Sequence, residues 1–249
     1  MTQYWILTRH ELRGLTRTWR AGVVAGVVLA LALIGPITTK FMPEILSMAG
    51  GFEIISGEPT WQDAGVQWAS DLSQIIPLLA IMVSAVSLAQ PLTSGSAALL
   101  LARPVPRSSL LFAGATANAI VIAGAVLAGA LANSAMTIVL FGDGGIEPVE
   151  MALRWLVLMS VLLVAVAFGA ARLGSTMGAA GTGLGTYFGL ALLSALPPLR
   201  DYSPAGLFAL EGGNTWWWAA STSIVLVALG CAASARAFEK LPLTSSPHS

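Results

Sequence analysis

The reactive side chains of this sequence are few. It has two histidines, His10 and His248, and a single cysteine, Cys231. A structural zinc site needs Cys, His or acidic ligands at short, regular spacing, and a metalloprotease helix needs HExxH. Neither pattern occurs. A nucleotide-binding loop needs glycines closed by Gly-Lys-Ser/Thr, with the backbone N–H groups cradling phosphate. Gly181, Gly185 and Gly189 give a glycine-dense stretch, but no such lysine follows and the setting is apolar. Asp71, Asn118 and Asn133 are too far apart in sequence to argue for a catalytic group at one face. One cysteine cannot close an internal disulfide. The sequence therefore predicts no enzyme, no metal site and no bound cofactor.

A different kind of element lies between Gln90 and Ala115, reading QPLTSGSAALLLARPVPRSSLLFAGA. A short apolar helix, Ser94–Leu101, is followed by Arg103-Pro104-Val105-Pro106-Arg107. Ser108-Ser109 then offers hydroxyls that could cap the next helix. A short helix closed by a stiff basic turn is suited to carry force from a soluble partner into neighbouring segments.

Those segments are set by composition. Charged residues make up 10% of the 249 positions, hydrophobic residues 56%, and mean hydropathy is +0.79. Twelve basic and twelve acidic residues cannot cover the surface of a soluble domain this large. The same numbers exclude a disordered chain. An all-α polytopic membrane protein remains. A hydrocarbon core about 30 Å thick takes a helix of roughly 20 residues. Six stretches qualify as spans: Ala21–Ile37, Asp71–Ala89, Leu110–Phe141, Met151–Ala171, Ala179–Leu196 and Thr215–Ala235. The first starts too late for a signal peptide and reads as a retained span.

The connections follow. Residues 1–20 form a basic amphipathic helix with Ile6, Leu7, Leu12 and Leu15 as its apolar residues. Arg9, Arg13, Arg17 and Arg20 recur along it. Such a helix lies in the membrane interface, although a basic flank of span one would read the same way. Pro36 predicts the end of span one. Residues 38–70 form an outer loop, with short surface helices expected at Ile45–Phe52 and Thr60–Trp68. Trp61 and Trp68 suit an interfacial belt. Pro77 inside span two requires neighbouring helices to satisfy the backbone it frees. Asn118 and Asn133 predict hydrogen bonds between helices or, alternatively, a pore lining. Arg154 can snorkel outward. Gly181, Gly185 and Gly189 predict close helix packing. Residues 197–214 suit an outer re-entrant segment. Trp216, Trp217 and Trp218 anchor span six at the headgroups. Residues 236–249 form a polar tail, expected to fray from Thr244.

Charge gives the orientation. With the N terminus inside and six crossings, nine basic residues lie within and three, Lys40, Arg154 and Arg200, lie outside. Only Glu11 and Glu239 of the acids fall inside. The net charge of zero is then +7 on one side cancelled by −7 on the other. The positive-inside rule places both termini in the cytoplasm.

The 90–109 loop resembles that of ABC-2 type permeases, the membrane subunits of many ABC exporters. In that family an acidic residue and Gly-Thr precede a short leucine-rich helix, then Pro-Val-x-Arg and an apolar restart. Here the counterparts are Ser94-Gly95-Ser96, Leu99-Leu100-Leu101, Pro104-Val105-Pro106-Arg107 and Leu110-Leu111. The family's opening Glu-Leu-Arg is matched by Glu11-Leu12-Arg13, and its closing Arg, Phe and acid by Arg236, Phe238 and Glu239. Gln90, Thr93 and Ser94 stand where acids are usual, which removes a salt bridge from the expected contact.

The resemblance implies a coupling loop seated in a separate ATPase subunit, with two ATPases driving two six-span permeases, identical or different. ATP and Mg would sit on the ATPase alone. Arg103 and Arg107 would touch that subunit or the headgroups, or act only as positive-inside flanks. Ser94, Leu99, Pro104, Glu11 and Arg13 complete the expected contact. The setting implied is a prokaryotic inner membrane, with lipids but no nucleic acid as partners. The 38–70 loop is long enough to meet an outer partner. Two other functions fit the same composition: an ATPase-independent carrier or channel, and a membrane scaffold such as one for nitrous-oxide reductase maturation. A carrier would place more ionisable groups at span midplane than this sequence does. The neighbouring gene would separate these readings.

Overall fold

Long apolar stretches leave the backbone no partner in hydrocarbon except itself, so helices dominate. The computed structural model describes residues 2–48, 58–94, 96, 106–208, 210 and 216–241. Nine helices are described: α1 (Thr2–Arg17), α2 (Trp19–Met48), α3 (Trp61–Ser73), α4 (Ile75–Thr93), α5 (Arg107–Phe141), α6 (Glu147–Leu173), α7 (Thr176–Ser194), α8 (Pro197–Tyr202) and α9 (Trp216–Glu239). A 3₁₀ turn, Pro204–Phe208, follows α8. Among the described residues there is no strand.

Among the described residues, five segments are long and apolar enough to cross a membrane: α2, α3 with α4 as one unit, α5 from Ser108, α6 and α9. The 19 residues of α7 include five glycines, which dilute its apolar character. Helix α6 is central, with Trp155, Leu158 and Leu162 fully buried. It packs against α4, α5, α7 and α9.

Two prolines explain much of the packing. Proline has no N–H, so it orphans the carbonyl four residues earlier. Pro36 frees the Ala32 carbonyl, and Asn133 Nδ2 of α5 donates to it at 3.0 Å. Pro77 frees the Ser73 carbonyl, and the Tyr187 hydroxyl of α7 donates to it at 2.7 Å. At both of these positions a side chain from another helix takes the freed carbonyl. The expected end of span one at Pro36 is thereby corrected: α2 runs on to Met48. The repair is testable. Asn133→Ala should cost about 2 kcal/mol by leaving a buried carbonyl unpaired. In a Pro36→Ala background, where the backbone N–H returns, the same change should cost under about 0.5 kcal/mol. Thermal melts of the four proteins in detergent give the coupling. Equal costs in both backgrounds would remove the repair.

Other expectations shift. The 38–70 outer loop is largely helix, since α2 takes its first part and α3 begins at Trp61. The Thr60 N–H and hydroxyl both donate to the Asp63 carboxylate at 2.8 Å, which starts α3 there. Trp68 is not interfacial. It is fully buried, and its Nε1–H donates to the Pro148 carbonyl at 3.2 Å. Ile45 to Met48 belong to α2, and the rest of the expected 45–52 helix lies outside the described residues. Ser108 and Ser109 do not cap α5, because the helix already starts at Arg107 with Pro106 in the cap position. Pro106 holds φ −56°, ψ 132°, a conformation its ring favours. The polar tail begins as helix: α9 continues to Glu239, and Phe238 is buried. Residues 244–249 lie outside the described residues.

Among the described residues, the glycine stripe meets no other helix of this chain. A Cβ added at Gly181, Gly185 or Gly189 would meet nothing within 4 Å. Close approach occurs on the opposite face of α7. A Cβ on Gly183 would lie 2.8 Å from Ile81 of α4. On α6, a Cβ on Gly169 would overlap the Thr182 hydroxyl and lie 2.7 Å from the Gly178 carbonyl oxygen. Gly142 and Gly174 end α5 and α6 with φ of 78° and 61°, in the left-handed region where glycine is favoured.

Candidate functional site

The contacts sort the charges onto two ends of the bundle. At one end, Arg20 Nη1 donates to Gln90 Oε1 at 2.7 Å, joining the start of α2 to the end of α4. Glu11, Pro91, Leu110 and Phe238 line one small cavity there, so α1, α4, α5 and α9 all meet at this end. The α6–α7 turn joins them, because Gly174 faces Leu241. Arg9, Arg13, Arg17, Arg20, Arg172, Arg236 and Lys240 all belong to segments gathered here.

At the other end, Glu147 approaches Gly65, and Lys40 sits 5.1 Å over the Phe141 ring. Arg154 does not simply snorkel. Its Nη1 donates to the Leu210 carbonyl at 2.7 Å, and Glu150 lies 3.5 Å from Nη2. It thereby pins the segment after the 3₁₀ turn, whose Leu207 is fully buried. Trp217 and Trp218 are exposed, as a headgroup anchor would be.

The first end is organised by α1. Tyr4, Thr8, Glu11 and Leu15 recur at i, i+4, i+7 and i+11, one helical face. Thr8 and Leu15 are buried. The Tyr4 hydroxyl lies 2.6 Å from Thr116 Oγ1 and donates to the Phe112 carbonyl at 3.2 Å. The expected apolar face is partly wrong: Ile6 is exposed, and the polar Tyr4 and Thr8 take the packed positions. Arg9, Arg13 and Arg17 are exposed on the opposite side.

Glu11 points inward, 4.0 Å from His10. Burial pushes its carboxyl above the ordinary value, and the charge of His10 acts the other way. A cleft of about 400 Å³ opens beside it, lined by Leu15, Arg20, Ser87, Gln90 and Pro91. Ser94 caps α4, and its hydroxyl lies 2.9 Å from Ser96 Oγ at the rim. Arg107 is the first residue of α5. Leu99, Arg103 and Pro104 lie outside the described residues. The expected contact residues Glu11, Ser94 and Arg107 therefore fall on elements that meet at one end. Asn118 is deeper and joins α5 to α4, donating to Ser87 Oγ at 3.0 Å and to the Gly114 carbonyl at 2.9 Å.

Sequence reasoning missed Tyr4, Thr8, Tyr187 and the Arg20–Gln90 pair. The i, i+4, i+7, i+11 row in α1 was a usable signal for the first two. Tyr187 and Gln90 carried none, since their partners lie far away in sequence.

This end is built from charged exteriors, a polar cleft and a basic helix connection. Among the described residues no three metal-ligating side chains come together. No curated protein sequence matches the chain. Residues 52–198, more than half of the 249, match the family described as ABC-2 family transporter protein. That match runs from before α3 through α7 and includes the basic connection between α4 and α5. The chain therefore belongs to the ABC-2 family of transporter proteins, as a multi-pass, non-catalytic membrane subunit.

Proposed function

We propose that the chain is the permease half of an ATP-driven exporter, and that a separate ATPase subunit docks on the arginine-rich end. The observation that carries this is the gathering at one end of α1, the Arg20–Gln90 pair and both flanks of the α4–α5 connection. In this reading α7 is a sixth span, leaving both termini on the docking face. The positive-inside rule makes that face cytoplasmic, in a prokaryotic inner membrane. Two such chains, or this chain and a related one, face two ATPases. ATP closes the ATPases, and the residue 94–107 connection passes the motion to α4 and α5.

The length of α5 supports an interfacial position for α1. Its 35 residues span about 52 Å, some 20 Å more than the hydrocarbon. Helix α1 crosses it at Phe112–Thr116, roughly two turns from its start. Dividing the excess between the two ends puts α1 at the hydrocarbon boundary. Its exposed arginines then face anionic headgroups.

Arg107→Glu tests the docking face. Copurification of ATPase with the tagged chain from its own membranes should fall roughly tenfold. Unchanged copurification of the variant would sink the contact proposed for Arg107. Absence of any ATPase with the wild-type chain would sink the two-subunit reading.

A further inference from the structure

Helices α5 and α9 both pack on α6 but stand apart from each other over part of their length. Gly230 lets α9 press onto α6, because a Cβ there would meet Val164. The gap between α5 and α9 is a groove of about 570 Å³. Ala115, Ala119 and Ala123 form one wall, at i, i+4 and i+8 along α5. Val227 and Cys231 form the other, and Tyr4 of α1 roofs one end. The volume is in the range of a small-molecule site.

Depth decides what fits. The α5 part of the groove runs from Phe112 to Ala123, about 16 Å along the helix. The α6 part runs from Ala167 to Leu156, again about 16 Å. With α5 and α9 centred in the hydrocarbon, the groove starts just under α1 and ends near midplane; on α6, centred in the same way, it reaches about 6 Å past midplane at Leu156. Most of it lies in one leaflet, about half of the 30 Å core. Its lining is nearly all apolar, and it is open on one side. Arg9, Arg13 and Arg17 are exposed on α1, the helix whose Tyr4 closes one end of the groove.

We propose that this groove is a binding site for one acyl chain of an anionic phospholipid from the leaflet at the arginine-rich end. The alkyl chain lies along the alanine wall. The phosphate stays at the level of α1, where the arginines complement its charge. Naming that leaflet cytoplasmic rests on the orientation proposed above, but the depth of the site does not.

The test uses the full-length chain in nanodiscs of phosphatidylethanolamine with a minority of phosphatidylglycerol. A phosphatidylglycerol carrying a mid-chain diazirine is added, irradiated, and its crosslinks mapped by peptide mass spectrometry. Crosslinks should concentrate on Ala115, Ala119, Ala123, Val227 and Cys231. Ala119 is exposed to the groove, so Ala119→Trp fills it without displacing a packed neighbour. That variant should lose groove crosslinks roughly tenfold, the factor produced by about 1.4 kcal/mol of lost binding. Crosslinks to the exposed Leu226 and Leu229 on α9 should stay unchanged. Ala123→Phe serves as a second variant if the first misfolds. An even spread over all lipid-facing helices, insensitive to both variants, overturns the proposal. So does protection of Cys231 from maleimide that persists in delipidated, crosslinked dimers, since a second copy would then fill the groove. A phosphatidylethanolamine probe that labels the groove equally well overturns the preference for anionic lipid. The map is read without an ATPase, so a blank map leaves the docking proposal standing, and the converse also holds.

Discussion

Trp68→Ala should destabilise the protein by about 4 kcal/mol, the usual cost of emptying a large aromatic site. Trp68 is fully buried, and Gly129 of α5 leaves room for its ring edge, where a Cβ would stand 3.4 Å away. Its Nε1–H ties α3 to the first turn of α6. Inside lipid there is little hydrophobic gain in joining helices, so the loss is mostly lost packing and a void. Trp68→Phe keeps most of the volume and loses the hydrogen bond, and should cost only about 1 kcal/mol. Thermal unfolding of the purified chain in detergent measures both. An interfacial tryptophan would give a small loss for either change, and that result would reject the buried position.

Gly169→Ala should cost about 3 kcal/mol, at the upper end of overpacking losses. The added methyl would collide with the Thr182 hydroxyl and press on the backbone at Gly178 and Ala179, which cannot swing aside. Thr182 also donates to the Ala165 carbonyl at 3.0 Å, so separating α6 from α7 breaks a bond as well as a contact. Gly185→Ala, on the open face of α7, should change stability by no more than about 0.5 kcal/mol. Comparing the two melting temperatures in one detergent checks the assignment of faces. A loss at Gly185 equal to that at Gly169 would mean a second chain packs on the open face.

Five of the spans were legible because hydropathy at this scale depends on composition alone. Charge bias separated the ends for the same reason: it counts residues and ignores contacts. What depends on contacts was harder to read. Pro36 looks like a stop until Asn133 is known to lie beside Ala32, 101 positions away in sequence. The row Gly181, Gly185, Gly189 marks a face of α7 but cannot say which neighbour meets it. Gly169 stands alone in its local sequence, and Gly183 is hidden between Gly181 and Gly185, off their row. In α1 the hydrophobic residues misled, because Tyr4 and Thr8 pack by hydrogen bonding to their surroundings and to α1 itself. The coupling residues were suggested by resemblance. The meeting of Glu11, Gln90 and Phe238 needed the fold.

The proline repairs have a mechanical consequence. A helix usually resists bending because its ladder of backbone bonds must stretch together. At Pro36 one rung is replaced by the Asn133 side chain, and at the α3–α4 junction Tyr187 takes the Ser73 carbonyl beside Pro77. Bending at either point strains a single side-chain hydrogen bond worth about 1 kcal/mol. Compliance at these two heights is thus set by a neighbouring helix rather than by the bending helix itself.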